Sequence, residues 1–259
     1  MTLRELQANW NRLGEVDPMW AVLSDPAKLG GHWDESEFFR TGELEIAAVM
    51  EAVHRIFPQM RRGRALDFGC GLGRLSRALA SRFESVTGVD IAPSMIAGAR
   101  TLNQAIPNCS FALNEREDLR QFPDNSFDFV YTDIVLQHMN PRFATRYIRE
   151  FVRSAAAGGV IVFRLPDRHP AQFDKWLKSL IVPFVPLVPK RIARLYLRRH
   201  YPNAPDATLA EVQRHPMELH GARKRDVIRT LNAAGAAVAH VEDDFGEGWR
   251  SFRYFARKT

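Results

Sequence analysis

Apolar and polar positions follow two alternating patterns through the middle of the chain. Short apolar runs, several with alternating polar positions, predict strands at 64–68, 86–90, 109–113, 127–132 and 159–165. Apolar residues at helical spacing or a proline start predict helices at 72–82, 93–104 and 141–156. Strands that alternate with helices are typical of an α/β fold in which helices cover both faces of a parallel sheet.

The two ends of the chain have less regular patterns. Residues 1–44 predict short helices and loops, followed by a helix from Glu43 to Phe57. Near the other end, a helix is predicted at 220–234, followed by two strands at 236–242 and 251–256. The segment 167–218 is irregular, so we predict one main domain, 45–259, with an insertion there and an N-terminal helical segment, 1–44.

A glycine-rich turn joins the first strand to its helix. The sequence Leu66–Arg74 reads Leu-Asp-Phe-Gly-Cys-Gly-Leu-Gly-Arg, and the next strand ends in Asp90. Glycines bring main-chain N–H groups close to a ligand, and a carboxylate at the end of the second strand accepts hydrogen bonds from both hydroxyls of a ribose. These features predict a pocket for an adenosine-containing cofactor.

Three kinds of nucleotide site share such a turn. A P-loop requires Gly-Lys followed by Ser or Thr, which is missing here. The dinucleotide fingerprint requires a glycine where Arg74 stands. Asp67, just before the turn, would repel a pyrophosphate but suits a ligand that carries an ammonium and a sulfonium group.

With that carboxylate, the segment Leu66–Gly73 resembles the first motif of the class I S-adenosylmethionine-dependent methyltransferases. The resemblance continues through 115–119, 122–128, 129–138 and 158–163. It implies a Rossmann-like, mostly parallel sheet of seven strands and S-adenosyl-L-methionine as the cofactor. It also implies that residues 1–44 fold over the cofactor and that 167–218 form a lid after the fifth strand.

The resemblance assigns cofactor roles residue by residue. The turn would hold the methionine end, Asp90 the ribose and Ile91 the adenine face, with Glu115 or Arg116 at the adenine edge. Thr132 and Asp133 would pass near the sulfonium. The predicted cofactor-binding residues are Asp67, Phe68, Gly69, Cys70, Gly71, Gly73, Asp90, Ile91, Met95, Glu115, Arg116, Thr132 and Asp133.

Methyl transfer from a sulfonium is a direct SN2 displacement, and a hydroxyl acceptor also loses a proton. His138, just past the fourth strand, is the candidate base, although a histidine that packs against the following helix explains the position equally well. Asp167 is a candidate to orient the base or to bind the acceptor. No group of His, Cys and carboxylates has metal-ligand spacing, so no metal is predicted.

The net charge of +6 is unevenly distributed. Residues 168–229 hold thirteen Lys and Arg against five Asp and Glu, and 176–199 combine apolar and basic positions. This segment is interpreted as a lid over the substrate or as a peripheral membrane contact. A nucleic-acid partner is not expected, because interleaved aromatic residues and known binding motifs are missing.

Two cysteines and no signal peptide predict a cytoplasmic protein. We therefore predict a methyltransferase that modifies an oxygen of a small-molecule, glycan or lipid-linked acceptor. The alternative is a non-catalytic protein that keeps the cofactor pocket and docks a partner through its basic insertion.

Overall fold

The computed structural model describes residues 1–167, 201, 204–215, 217–246 and 249–259. The strands of its sheet are β1 (Arg64–Phe68), β2 (Ser85–Asp90), β3 (Cys109–Leu113), β4 (Phe127–Thr132), β5 (Ala155–Pro166), β6 (Ala236–Gly246) and β7 (Trp249–Lys258). The described α-helices are α1 (Leu3–Val16), α2 (Pro18–Val22), α3 (Glu35–Ile56), α4 (Arg74–Ala80), α5 (Pro93–Leu102), α6 (Pro141–Ser154), α7 (Asp206–Arg214) and α8 (Lys224–Ala233).

The strands form one seven-stranded sheet in the order β3-β2-β1-β4-β5-β7-β6. The first five strands pair in parallel, and β7 pairs antiparallel with both β5 and β6. The Rossmann-like architecture expected from the sequence is confirmed. In such a sheet the carboxyl ends of the parallel strands share one edge, where ligands bind.

Apolar side chains fill both faces of the sheet. On one face, strand residues such as Val130 and Phe163 pack with Phe151 of α6 and Leu231 of α8. On the other, Phe129, Tyr131 and Val162 pack with α3 and α4. Along β4 and β5 these buried residues alternate, so that neighbouring side chains point to opposite faces of the sheet.

Helix α3 begins eight residues before the predicted start at Glu43. Asp34 caps it by accepting a hydrogen bond from the main-chain N–H of Glu37 at 3.0 Å. Phe38 and Phe39 are buried within its first turns, in a cluster with Leu72 of the glycine turn. The prediction placed residues 1–44 in short helices and loops and so missed this start. Gly42 lies within α3 and lets it approach the backbone of Arg74.

Strand β5 is also longer than predicted, since it begins at Ala155 rather than at residue 159. Ala155 pairs with Phe127, and the register then shifts so that Val160 pairs with Phe129. Gly158 has a φ of +74°, a conformation that an irregular strand requires and that favours glycine.

Most of the predicted lid, including the proposed membrane contact at 176–199, lies outside the described residues. The described part of the insertion packs on the N-terminal segment. Leu209 of α7 is buried with Trp20 and Leu29, and Arg12 of α1 pairs with Glu211 at 3.1 Å. Of the helices in the described ranges, none has the length and apolar character needed to span a bilayer.

Candidate active site

A cavity of about 1050 Å³, its open mouth included, lies at the carboxyl ends of β1, β2 and β4. Helices α1 and α2 cover it. Its described lining is Leu3, Leu6, Trp10, Ala21, Val22, Ser24, Phe68, Gly69, Cys70, Gly71, Arg74, Leu75, Val89, Asp90, Ile91, Met95, Asn114, Asp133, Ile134, Val135, His138, Met139, Tyr147 and Met217. The mostly apolar walls are typical of a small-molecule site.

The glycine turn forms the floor of the cavity. Gly69 and Cys70 donate their main-chain N–H groups to the carbonyl oxygen of Val89, at 2.7 and 2.9 Å. Gly71 has a φ of +51°, and a Cβ there would lie 2.5 Å from a methyl carbon of Val22. The turn therefore needs glycine both for its backbone conformation and for the close approach of α2.

Asp90 ties this turn to the start of α5. Its Oδ2 accepts the N–H of Gly71 and its Oδ1 accepts the N–H of Ala92, each at 2.9 Å. Burial raises the pKa of the carboxyl, while these two hydrogen bonds lower it. Each oxygen of a carboxylate accepts more than one hydrogen bond, so Asp90 retains acceptor capacity toward a ligand.

Beyond Asp90, the wall comes from Ile91, Met95 and Asn114. Asn114 follows β3, and its side-chain Oδ1 is buried without a hydrogen-bond partner among the described residues. Its Nδ2 lies 3.4 Å from the hydroxyl of Tyr147, which in turn donates to the carbonyl of Arg116. Tyr147 also packs its ring against Phe68, with 4.5 Å between ring centroids.

Glu115 and Arg116, the predicted adenine-edge residues, lie outside the described lining. Glu115 accepts a hydrogen bond from Gln7 of α1 at 2.7 Å, and Arg116 contacts Asp118 at 3.2 Å. Asn114, one position before Glu115, is the residue of this segment that lines the cavity.

Asp133 lies at the end of β4 with its side chain buried. Its Oδ2 accepts a hydrogen bond from Arg164 at 2.8 Å, and its Oδ1 has no partner among the described residues. Burial raises the pKa of Asp133, although the positive charge of Arg164 lowers it. Arg164 also donates to Asp244 at 2.6 Å. Thr132, in contrast, lies behind the cavity wall, and its buried hydroxyl lacks a described partner.

His138 reaches the cavity from the short 3₁₀ helix Leu136–His138. Its Nδ1 lies 2.8 Å from the carbonyl oxygen of Glu218. Because a carbonyl only accepts, Nδ1 carries the hydrogen and Nε2 keeps the lone pair. Burial lowers the pKa of His138 to about 4, so the ring is neutral at pH 7. The indole of Trp10 lies edge-on to it at 5.2 Å.

Besides Glu115, Arg116 and Thr132, three more predicted residues lie apart from the described lining. Asp67 is buried and accepts a hydrogen bond from the hydroxyl of Ser76 at 2.6 Å, and burial raises its pKa to about 6. Gly73, with a φ of +80°, precedes α4 and packs against Phe111. Asp167 accepts the N–H of Lys224 at 2.8 Å, which satisfies a free donor at the start of α8.

The sequence prediction missed several lining residues, above all Arg74, Asn114, Tyr147 and Trp10. Arg74 was considered only as a break in the dinucleotide fingerprint. Tyr147 stands at a core-facing position of α6, where its sequence signal is that of a packing residue. The resemblance implied that residues 1–44 fold over the cofactor, but the sequence did not indicate which side chain of α1 lines the cavity.

Comparison with known proteins identifies the domain. Residues 66–163 match the family described as a methyltransferase domain. Residues 66–163 therefore carry a methyltransferase domain, in agreement with the resemblance to the class I S-adenosylmethionine-dependent methyltransferases. This confirms the family expected from the glycine turn and the segments that follow it.

Two curated relatives illustrate how far the likeness extends. Trans-aconitate 2-methyltransferase of Deinococcus radiodurans is 28% identical over 141 residues, which are 53% of this chain and 50% of that protein. The 2-methyl-6-phytyl-1,4-hydroquinone methyltransferase of Synechocystis is 35% identical over 120 residues, 45% of this chain and 37% of that protein. The chain thus spans half or less of the length of these relatives.

Solved structures resemble the whole chain. Magnesium protoporphyrin IX methyltransferase of Synechocystis, solved with bound SAH, superposes with a TM-score of 0.61 at 16% identity. The superposition covers 98% of each chain. At this identity the likeness concerns the fold.

Proposed function

We propose that this protein transfers a methyl group from S-adenosyl-L-methionine to a hydroxyl oxygen of a small molecule with an apolar body. The observation that carries the proposal is the cavity at the carboxyl ends of β1, β2 and β4. It combines a glycine turn, the carboxylate of Asp90 and the neutral ring of His138 within one lining.

The residues of the cavity fit this cofactor. Asp90 accepts the ribose hydroxyls, Ile91 and Met95 cover the adenine, and Asn114 offers its unpartnered Oδ1 to the exocyclic amine. Asp133 turns a buried carboxylate toward the positively charged end of the cofactor. When bound, S-adenosylmethionine supplies an electrophilic methyl group and leaves as a neutral thioether.

The walls near His138 indicate the character of the acceptor. Leu3, Leu6, Trp10, Met139 and Met217 present apolar surface there. Such walls bind an apolar acceptor body through burial and keep water away from the reaction. A free, fully hydrated glycan would lose hydrogen bonds to water in this environment, so we favour an acceptor that carries few polar groups.

His138 then serves as the proton acceptor. The hydrogen bond from Nδ1 to Glu218 leaves Nε2 unprotonated at neutral pH. A hydroxyl oxygen becomes strongly acidic as it is alkylated, so a weak base suffices to take its proton. The lone pair of Nε2 forms the new N–H bond, and the O–H electron pair stays on the ether oxygen.

Calorimetric titration of the purified protein with S-adenosylmethionine, S-adenosylhomocysteine, NADH and ATP tests the cofactor assignment. We expect micromolar binding of the first two and none of the others. Binding of NADH alone, or of no ligand, would overturn the proposal.

A screen with radiolabelled methyl donor tests the acceptor assignment. Pools of phenols, aliphatic alcohols, lipid-linked sugars and amines separate the possible acceptors by class. We expect label in an ether of an apolar hydroxyl compound. Label in amines only would refute oxygen as the accepting atom, and tight cofactor binding without label in any pool would favour a non-catalytic binding protein.

A further inference from the structure

The side chain of Arg74 is buried in the cavity wall with few contacts to hold its charge. Arg74 is 5% exposed, and its Nη1 donates a hydrogen bond to the hydroxyl of Thr41 at 3.2 Å. Its Nε is buried without a hydrogen-bond partner within the described ranges. No described carboxylate lies within 4.0 Å of this guanidinium. A buried cation in this state is destabilising unless an anion pairs with it.

Two other arginines of the described chain have carboxylate partners. Asp133 binds Arg164 at 2.8 Å, and Arg153 binds Glu150 at 2.9 Å and Asp124 at 2.7 Å. Asp67 attracts Arg74 through space, but its carboxylate is hydrogen-bonded to Ser76 rather than to the guanidinium. Arg74 is therefore a buried cation of the cavity wall that has no carboxylate partner among the described residues.

The fold fixes Arg74 in place. Helix α3 crosses α4 at Gly42, where an added Cβ would meet the carbonyl oxygen of Arg74 and lie 2.9 Å from its Cγ. This contact confines the stem of the side chain between α3 and the cavity. A guanidinium that the backbone already positions binds an anion without a large loss of side-chain entropy.

The charges of the lining are complementary to one ligand in particular. Asp90 and Asp133 are its carboxylates, His138 is neutral, and Arg74 is the cation among the described lining residues. A ligand that satisfies them carries positive charge and one carboxylate. The amino-acid end of S-adenosylmethionine has this combination, because it bears a sulfonium, an ammonium and an α-carboxylate.

We propose that Arg74 binds the α-carboxylate of the cofactor. This assignment rests on the proposed function and adds a residue that the superfamily motif does not specify. The planar guanidinium matches a carboxylate in shape, and its unpartnered Nε–H supplies a donor for the pair. The cofactor thus completes an ion pair that the protein alone leaves open.

Titration of two ligands into two variants tests the proposal. The ligands are S-adenosylhomocysteine and its decarboxylated analogue, which retains the adenosine, the sulfur and the amine. The variants are Arg74→Met, which removes the charge at similar length, and Arg74→Lys, which keeps the charge but loses the planar fork. Arg77→Met is the matched control, because Arg77 lies on the same helix, stacks over Phe39 at 4.4 Å and is absent from the described lining.

We expect Arg74→Met to weaken binding of S-adenosylhomocysteine by about 10- to 100-fold, the range of a charged hydrogen-bonded pair. Binding of the decarboxylated analogue should change by less than about threefold, which also shows that the variant is folded. Arg74→Lys should fall between Arg74→Met and the wild type for the first ligand only. Arg77→Met should match the wild type for both.

The other possible results of these titrations would each contradict the assignment or the proposed function. Equal losses for both ligands, or no loss for either, would overturn the assignment, as would wild-type protein that binds the two ligands equally well. A variant that binds both ligands normally but has a raised acceptor KM would assign Arg74 to an acceptor carboxylate instead. Wild-type protein that binds neither ligand would overturn the proposed function itself. If Arg74→Met does not fold, Arg74→Lys carries the same comparison.

Discussion

The Nδ1 atom of His138 lies 2.8 Å from the carbonyl oxygen of Glu218, a residue eighty positions further along the chain. This hydrogen bond connects the loop after β4 to the segment before α8. It also fixes the tautomer of the imidazole in the cavity, because the carbonyl requires a donor at Nδ1. Burial of the ring lowers its pKa despite this hydrogen bond, so protonation of His138 is coupled to the folding of the protein.

Replacing His138 by Asn should change how stability depends on pH. Burial lowers the pKa of the ring from 6.5 to about 4, so between these values the unfolded chain binds a proton that the folded protein does not. The wild type should therefore lose about 2 kcal/mol of stability, relative to the variant, between pH 7 and pH 5. Urea unfolding of both proteins at the two pH values measures this difference. An equal pH response in both would mean that the ring is protonated in the folded state.

The same substitution should lower turnover at least tenfold while S-adenosylhomocysteine affinity stays within about threefold, because Asn retains a donor for Glu218 but lacks Nε2. The wild-type rate should show no histidine ionisation between pH 6 and 9. Steady-state kinetics and calorimetry measure the two effects. His220→Asn is the control, since that ring contacts the carboxylate of Glu218 at 3.0 Å and is absent from the described lining. Full activity of His138→Asn would remove the ring from the chemistry.

Asp90→Asn should weaken S-adenosylhomocysteine binding by at least tenfold. The amide has one acceptor oxygen, so it loses a ribose contact and also faces one main-chain N–H with another donor. Calorimetry measures the loss, which should shrink for a ligand that lacks the ribose hydroxyls. Asp128→Asn is a matched control, because Asp128 accepts the N–H of Arg64 at 3.0 Å outside the cavity. Unchanged affinity of Asp90→Asn would exclude this carboxylate from the site.

Asn114→Leu should weaken cofactor binding by about 3- to 30-fold, because leucine keeps the volume but offers no acceptor to the adenine amine. Glu115→Gln should leave binding within about twofold, since Glu115 contacts Gln7 rather than the cavity. Titration of S-adenosylhomocysteine into both variants compares the neighbouring positions directly. The opposite order of effects would return the adenine edge to Glu115.

Gly42→Ala should lower the free energy of unfolding by about 1–3 kcal/mol, although alanine is the better helix former. The added Cβ meets the backbone carbonyl of Arg74, which moves only if α3 and α4 separate. Gly98→Ala in α5 is the control. Its Cβ would lie 2.6 Å from the Cδ2 of Leu72, a side-chain end that can rotate away. Thermal unfolding compares the two, and equal stability would show that α3 does not depend on this close contact.

The sequence predicted the sheet well where strands are short and bounded by turns. The bounds of β3 and β4 agree with the prediction to the residue, because both runs combine apolar residues with clear ends. The start of α3 was predicted too late, since the apolar pattern before Glu43 is less regular than that of a typical helix. The start of β5 was also predicted too late, because the paired segment before Gly158 was assigned to the preceding helix.

Of the predicted site residues, those that the turn itself positions, such as Gly69, Gly71 and Asp90, line the cavity, and their contacts with a cofactor stay predictions. The prediction was less accurate where a side chain's direction depends on tertiary packing. Asn114 and Glu115 are adjacent, but only Asn114 is part of the described lining. Asp167 follows β5 as predicted, yet its carboxylate caps α8. Local sequence does not encode which of two neighbouring side chains faces a cavity.

Helix α1 lies outside the sheet, and a small number of hydrogen bonds connect it to the rest of the domain. Gln7 reaches the carbonyl of Ile91 at 3.2 Å, and Asn11 accepts the N–H of Ser94 at 2.9 Å. On its apolar face, Leu3, Leu6 and Trp10 line the cavity, whereas Leu13 packs with Leu72 and Met95. A ligand in that cavity would become part of the hydrophobic support of α1, so ligand binding should slow hydrogen exchange along this helix more than in the sheet. The bound cofactor would thus stabilise the helix that covers it.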